Sequence, residues 1–316
     1  MQLADAGTIR GRSEALTPSQ QRTLEALRRS DDPLVFDADL VAEIREEMTD
    51  ALASFAARLP TDGELWVSKH RIATVLDCEE HHLIPDDFAW TPATARGQVA
   101  HRAIQLQLSW RGEPSPTELV DEAIARLADE ERGIGAWIAG LGDGDAADLR
   151  GGSVERVTKF VEAFPPLDRR WNPVTEAAAR WPLDGPIVLQ ARVDLMLGRP
   201  AGSESRKVII DLKTGGPSPR HRQDLGFYAL IETLAREVPP RKLATYYLDA
   251  SQAQVEDVSE GLLRTAMRRT LDAINAMVEL EHEARASTRT PGVTCRWCPL
   301  SSECDEGRSY LEQLQD

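Results

Sequence analysis

Two apolar, β-branched runs near the middle of the chain restrict its possible folds more than any other feature. One reads Ile-Val-Leu-Gln-Ala-Arg-Val-Asp-Leu-Met-Leu from Ile187 to Leu197. The other reads Val-Ile-Ile-Asp-Leu-Lys from Val208 to Lys213, with Gly, Pro and Ser between the two. This pattern predicts two strands joined by a turn. Side chains alternate faces along a strand, so Ile187, Leu189, Ala191, Val193 and Leu195 are expected on one face, and Gln190, Arg192 and Asp194 on the other. Asp211 and Lys213 likewise share a face with Ile209, opposite Val208, Ile210 and Leu212. An Asp and a Lys two residues apart can form an exposed ion pair. Here the charges interrupt runs apolar enough to be buried, and burying unpaired charge is costly. A divalent cation held by the carboxylates would offset that cost, and Mg²⁺ or Mn²⁺ suits such oxygen ligands.

A chain of 316 residues can bury a sizeable core in one large domain or two smaller ones. A hydrophobic content of 41% and a charged content of 28% fit a globular protein rather than a disordered one. No apolar segment has the length of a signal peptide or a membrane span, so the expected location is cytoplasmic. The net charge of −15 is unusual for a nucleic-acid binder, but it is unevenly spread. Glu113–Asp148 holds ten acids against Arg126 and Arg132, whereas Arg206, Lys207, Lys213, Arg220 and Arg222 face only Asp211 over Arg206–Arg222. The second segment is expected to form a basic patch beside the carboxylates.

Residues 1–16 read as a leader. Thr17-Pro18-Ser19-Gln20 starts a helix to about Arg29, and a second runs from about Asp39 to Arg58. Ser68 caps a third, Lys69 to about His82, carrying Cys78; His81 and His82 are expected to be solvated, or to serve as ligands. Another helix, about Thr94–Trp110, contains Gly97 and His101. A helical, acidic stretch over Thr117–Phe164 is expected to break near Gly140–Gly144 and Gly151–Gly152, and either caps the core or thickens it. Val174–Arg180 can add a strand. Ser218 and Pro219 open a helix to about Glu237. Two strands, Leu243–Asp249 and Gln254–Asp257, and a helix over Val258–Ala286 follow. Arg264, Arg268 and Arg269 on that helix read as solvated surface or as phosphate contacts.

Cys295, Cys298 and Cys304 lie close together near the C-terminus, and with Cys78 they are all the cysteines of the chain. Three such closely spaced thiols in a cytosolic protein point to a metal. Four thiolates suit a 4Fe–4S cluster, and equally a tetrahedral Zn²⁺. Cys78 can otherwise be a small buried hydrophobe.

Asp194, followed by Asp211-Leu212-Lys213, resembles the PD-(D/E)XK nuclease superfamily. The lone Cys78 after Val67-Ser68-Lys69-His70-Arg71-Ile72, with three cysteines at the C-terminus, resembles its RecB-like, AddB-like iron–sulfur group, which includes CRISPR-associated exonucleases. The resemblance covers about residues 67–310. It implies an α/β fold with a restriction-endonuclease-like mixed sheet flanked by helices, an added helical region and an iron–sulfur segment. The domains it suggests are a helical extension over 1–66, a nuclease core over 67–290 with an insertion at about 112–165, and a cysteine-rich tail over 291–316. It also implies hydrolysis of DNA, at single strands or ends, with Asp194, Asp211, the Leu212 carbonyl and His101 holding Mg²⁺ or Mn²⁺. Lys213 would orient water or stabilise developing charge. Related nucleases carry a Gln and a Tyr four apart on the following helix; here Gln223 and Tyr228 are five apart and Asp224 takes the matching position. A helicase or ATPase, or another repair or phage-defence subunit, is the partner such proteins suggest. A non-cleaving DNA-binding subunit, and a nuclease for RNA or branched DNA, are the alternatives.

Overall fold

The computed structural model describes residues 15–28, 31–85, 88–130 and 133–314. The expected leader lies almost wholly outside them. A six-stranded mixed sheet forms the centre. Its strands are β1 (Leu65–Val67), β2 (Val174–Trp181), β3 (Ile187–Leu197), β4 (Val208–Lys213), β5 (Lys242–Tyr247) and β6 (Gln252–Asp257). One edge of β3 pairs antiparallel with β2, from Trp181 opposite Leu189 to Val174 opposite Met196. The other edge is shared. Parallel β1 takes Ile187–Leu189 and antiparallel β4 takes Leu195–Leu197, which leaves Gln190–Asp194 between them. Strand β4 continues parallel to β5, and β5 antiparallel to β6.

Helices cover both faces. On one, α2 (Ala38–Ala56), α3 (Lys69–Asp77), α9 (Pro219–Arg236) and α10 (Glu260–His282) bury Ile44, Ile72, Leu230 and Ile274 with Val193 and Ile209. On the other, α5 (Pro92–Ser109), α6 (Pro116–Ala128) and α8 (Asp143–Ala163) bury Val99, Leu119 and Phe160 with Leu195, Ile210 and Leu212. Helix α1 (Pro18–Leu27) adds Leu27 there, and the short α7 (Ile134–Ala139) adds Ile134. The inserted helical stretch thus thickens the fold as one of its two covering layers. Among the described residues no helix is long and apolar enough to cross a membrane.

The sheet departs from simple alternation at one place. Val193 packs in the first core and Leu195, two residues on, in the second. The strand changes face at Asp194. Opposite it, Glu176 has φ +52°, a left-handed conformation uncommon for a residue with a β-carbon. The expected sharing of one face by Val193 and Leu195 therefore fails.

Other expectations change for local reasons. The helix after Ser68 stops at Cys78, whose backbone is extended, and resumes as α4 (Glu79–His82). His82 is a buried partner of Glu281, with Nε2 2.7 Å from Oε1, rather than solvated. Helix α8 runs straight through Gly151–Gly152. Gly152 is there for contact, since a β-carbon would stand 2.7 Å from Arg96 Cδ. The basic segment does not form a free basic patch. Arg206 pairs with Glu204, Lys207 with Glu232, Arg220 with Asp77 and Arg222 with Glu256. Arg264 pairs with Glu43 and Glu260, as solvated helix surface does.

Candidate metal centre

The gap on the β3 edge sets the position of the site. The β3–β4 ladder pairs Leu195 with Ile210, and one further step places Asp194 opposite Asp211. The β2–β3 ladder pairs Thr175 with Leu195 and Ala177 with Val193, so Glu176 falls opposite Asp194. Three carboxyl groups thus stand in one row across three adjacent strands. Like charges directly opposite each other destabilise a sheet, so a row of this kind calls for positive charge.

Part of that charge comes from the chain. Lys213, two residues beyond Asp211, places Nζ 2.8 Å from Asp211 Oδ2. Lys69, the first residue of α3 as the chain leaves β1, places Nζ 3.5 Å from Asp211 Oδ1 and 3.5 Å from Asp224 Oδ2. From the opposite layer α5 brings His101, whose Nδ1 is 3.6 Å from Asp194 Oδ1. Gly97, one turn earlier, allows that approach: a β-carbon there would lie 3.2 Å from Thr214 Oγ1, next to Lys213.

The charge balance is still incomplete. Asp211 is 1% exposed, and neither of its oxygens receives an aligned hydrogen bond, despite the nearby ammoniums. Burial and the Asp194 charge push its pKa above the ordinary carboxylate value. Burial acts on Asp194 in the same sense, but His101 and the Leu212 N–H outweigh it and hold its pKa low. Burial, then Asp194, also raises Glu176. Burial disfavours the charged form of Lys69, yet Asp211 and Asp224 outweigh it and raise its pKa. His101 behaves alike, with Asp194 outweighing burial.

These residues fit a divalent cation. His101, Glu176 and Asp194 offer ligand atoms that all lie within 4.8 Å of one another. Asp211, on the neighbouring β4, stands outside this group of mutually close ligand atoms but near enough for the Asp194 charge to act on it. One imidazole among carboxylates suits Mn²⁺ as well as Mg²⁺.

The structure brings together Asp194, Asp211, Lys213 and His101 of the residues expected from the sequence. Leu212 contributes its N–H to Asp194 Oδ2 at 2.7 Å. Tyr228 is buried in the first core and also borders the site, with Lys69 Nζ 5.0 Å from its ring centroid. Gln223 is exposed, and Asp224 is the residue whose carboxylate reaches Lys69 and Lys213. Lys69 and Glu176 were not foreseen. Glu176 becomes visible only once the β2–β3 register is known, and Lys69 only once β1 is placed against β3.

The four cysteines converge on a second site. Cys78, Cys295, Cys298 and Cys304 line one cavity, with His81, Arg289 and Glu306 on its walls. Burial, then the other thiols, raises the Cys298 thiol. Cys304 opens α11 (Asp305–Gln313), with its Sγ accepting from the Gly307 N–H. Glu79 reaches Arg285 and the Thr288 N–H, and Glu80 reaches Ser287, so protein contacts also bind α4 to the tail.

Comparison with known proteins bears on the whole arrangement. SSO0001, of known crystal structure, is 17% identical, aligned over 66% of this chain and 95% of its own, with a TM-score of 0.30. A Eubacterium rectale protein named, provisionally, as an exonuclease is 10% identical over 72% of this chain and 92% of its own, with a TM-score of 0.34. No curated protein matches the sequence. The family profile of the PD-(D/E)XK nuclease superfamily matches residues 67–305, which hold the last residue of β1, all of β2 to β6 and all four cysteines. The chain belongs to the PD-(D/E)XK nuclease superfamily.

Proposed function

We propose that this protein is a metal-dependent deoxyribonuclease that hydrolyses phosphodiester bonds in single-stranded DNA or at DNA ends. One observation carries the reading: Asp211 is buried and stands opposite Asp194, with the Lys213 ammonium 2.8 Å from one of its oxygens and the Lys69 ammonium 3.5 Å from the other. Nothing in a purely structural sheet requires that arrangement. Asp194, Asp211, His101 and the Leu212 carbonyl would hold Mg²⁺ or Mn²⁺, and Glu176 is close enough to join them. When bound, such an ion lowers the pKa of water and neutralises charge on a phosphate. Lys213, with Nζ 2.8 Å from Asp211 Oδ2, can orient the attacking water or face the charge that builds on phosphorus. Asp194, kept ionised by His101 and the Leu212 N–H, is the firmest anionic ligand.

The cysteine site is read as a structural 4Fe–4S cluster, for which four thiolates around one cavity are the required ligands. A tetrahedral Zn²⁺ would use the same set. The iron content and visible absorbance of the protein purified without oxygen decide between them. Repair or defence against phage, in the cytoplasm and alongside a helicase or ATPase, is the setting that the iron–sulfur resemblance suggests.

The test is cleavage of end-labelled single-stranded DNA, duplex DNA and RNA with Mn²⁺, comparing wild type with Asp211→Ala and Lys213→Ala. Cleavage of DNA by wild type alone is expected. Equal activity in all three proteins would refute the assignment, and a preference for RNA would replace the substrate.

A further inference from the structure

We infer that Lys69 is a second catalytic ammonium, which faces the scissile phosphate opposite Lys213 and is anchored there by Asp224. The inference rests on the nuclease reading and adds a residue that lies outside the Asp194, Asp211 and Lys213 set.

Strand placement supplies the first argument. β1 runs parallel to β3 and ends opposite Leu189, while β4 separates from β3 beyond Leu195. The chain leaving β1 passes through Ser68, which caps α3, and delivers Lys69 into the opening between the two strands. Lys213 arrives at the same opening from β4. The two ammoniums approach different oxygens of one carboxylate: Lys69 Nζ lies 3.5 Å from Asp211 Oδ1, and Lys213 Nζ lies 2.8 Å from Oδ2. Both also flank Asp224 Oδ2, at 3.5 and 3.9 Å.

Charge supplies the second. The site holds four carboxyl groups, Glu176, Asp194, Asp211 and Asp224, against two lysines, since His101 is neutral when it serves as a ligand. One divalent ion on Asp194 and Asp211 would balance it. Asp211 would then be engaged by that ion, and the Lys69 ammonium would no longer be needed to neutralise it. Lys69 would keep Asp224 as its anchor and the Tyr228 ring, 5.0 Å away, as its wall. Its side chain retains 32% exposure, enough to meet an incoming phosphate.

The step balances without a redox partner. The water oxygen bonds to phosphorus as the bond to the leaving deoxyribose oxygen breaks; the water proton passes to solvent, and solvent returns one to the leaving oxygen. Negative charge grows on the non-bridging oxygens meanwhile. Two ammoniums on different sides of those oxygens stabilise it better than one.

The experiment measures kcat and KM on a single-stranded oligodeoxynucleotide, Mn²⁺ affinity by calorimetry, and Tm, for wild type, Lys69→Met and Lys69→Arg. The expected result for Lys69→Met is a kcat about 100-fold lower, little change in KM or Tm, and Mn²⁺ binding as tight as wild type or tighter. Tighter binding would follow from removing a positive charge beside Asp211. Lys69→Arg should recover part of kcat. Loss of Mn²⁺ affinity and Tm together with rate would make Lys69 a structural neutraliser of Asp211 and overturn the inference, as would an unchanged kcat. A wild type that binds Mn²⁺ and cuts nothing would remove the nuclease reading, and this inference with it. If Lys69→Met does not fold, Lys69→Gln, which keeps a polar side chain without the charge, carries the test: a lowered kcat at unchanged KM supports the inference, and wild-type kcat overturns it.

Discussion

The Leu212 N–H donates to Asp194 Oδ2 at 2.7 Å, although the two residues belong to strands that have already begun to part. The carboxylate takes over where the ladder stops and satisfies a backbone donor that would otherwise face the opening. This contact fixes one oxygen of Asp194 and leaves the other, Oδ1, toward His101. The sheet thereby holds a ligand in place at the cost of one ladder hydrogen bond.

Asp211 should be unfavourable to the fold until a cation arrives. Burial and Asp194 raise its pKa above the ordinary 3.8. The folded chain therefore retains a proton that the unfolded chain has lost, and the sign follows: stability falls as pH rises above the unfolded value. In chelator at neutral pH, Asp211→Asn is expected to be more stable than wild type by about 1–3 kcal/mol. The difference should shrink below about pH 4, where both states of the carboxyl are protonated. Adding Mn²⁺ should raise the Tm of wild type and leave the variant nearly unchanged. Thermal melts across pH, with and without Mn²⁺, check this; a variant that melts lower in chelator contradicts it.

Gly97 permits the distance from His101 to Asp194. A β-carbon at 97 would meet Thr214 Oγ1 at 3.2 Å, which a threonine rotamer can relieve, whereas the branched side chain of valine would need more room. Gly97→Ala is expected to fold and bind Mn²⁺ nearly as wild type does. Gly97→Val should move α5 outward and weaken Mn²⁺ binding by about tenfold or more, in keeping with the loss of a supporting contact at a metal site. Calorimetric titration of both variants measures the effect. Equal affinity in the two would mean that the helix does not set the histidine.

The parts of this protein legible in its sequence are those dictated by local pattern. The strands carrying Asp194 and Asp211, the Ser218–Pro219 helix start and the Thr17 capping box need only neighbours within a few residues. What could not be read depends on pairing between distant segments. Glu176 sits in a short run of alanines and gains meaning only opposite Asp194, across a register that the sequence does not print. Lys69 follows a three-residue strand too short to announce itself. The change of face at Asp194 was hidden because alternation continues unbroken in the letters on either side. Lys207, Arg220 and Arg222 misled for the opposite reason: their acidic partners, Glu232, Asp77 and Glu256, lie far away along the chain.

Cys298→Ser tests whether the cysteine site is a metal clip or only a pocket. A ligand set joining Cys78 to Cys295, 217 residues later, closes a very long loop, and such clips restrict the unfolded chain most. The protein contacts of Glu79 and Glu80 hold the same ends together, so the variant should fold but melt lower, by several degrees, and lose bound iron or zinc. Metal analysis and a thermal scan on the same preparation give the answer. Metal-free wild type, with a variant melting at the same temperature, would show that the protein contacts alone secure the tail.

Lys207 offers a stability test that also bears on where DNA can bind. It lies in the predicted basic segment, yet its ammonium pairs with Glu232 inside the fold, where the two side chains are only 12% and 7% exposed. Removing one member of a buried pair leaves the other uncompensated and typically costs about 3–5 kcal/mol. Lys207→Met should therefore melt well below wild type. Replacing Glu232 with Met as well should restore most of the loss, because two apolar side chains can fill the space without a stranded charge. A lysine that contacts phosphate would behave differently: its loss would weaken DNA binding and reduce the salt dependence of affinity, and changing Glu232 could not reverse that. The folded double variant should bind single-stranded DNA with the affinity and salt slope of wild type, since Lys207 already spends its charge on Glu232. A shallower slope in the double variant would return Lys207 to the DNA-binding surface.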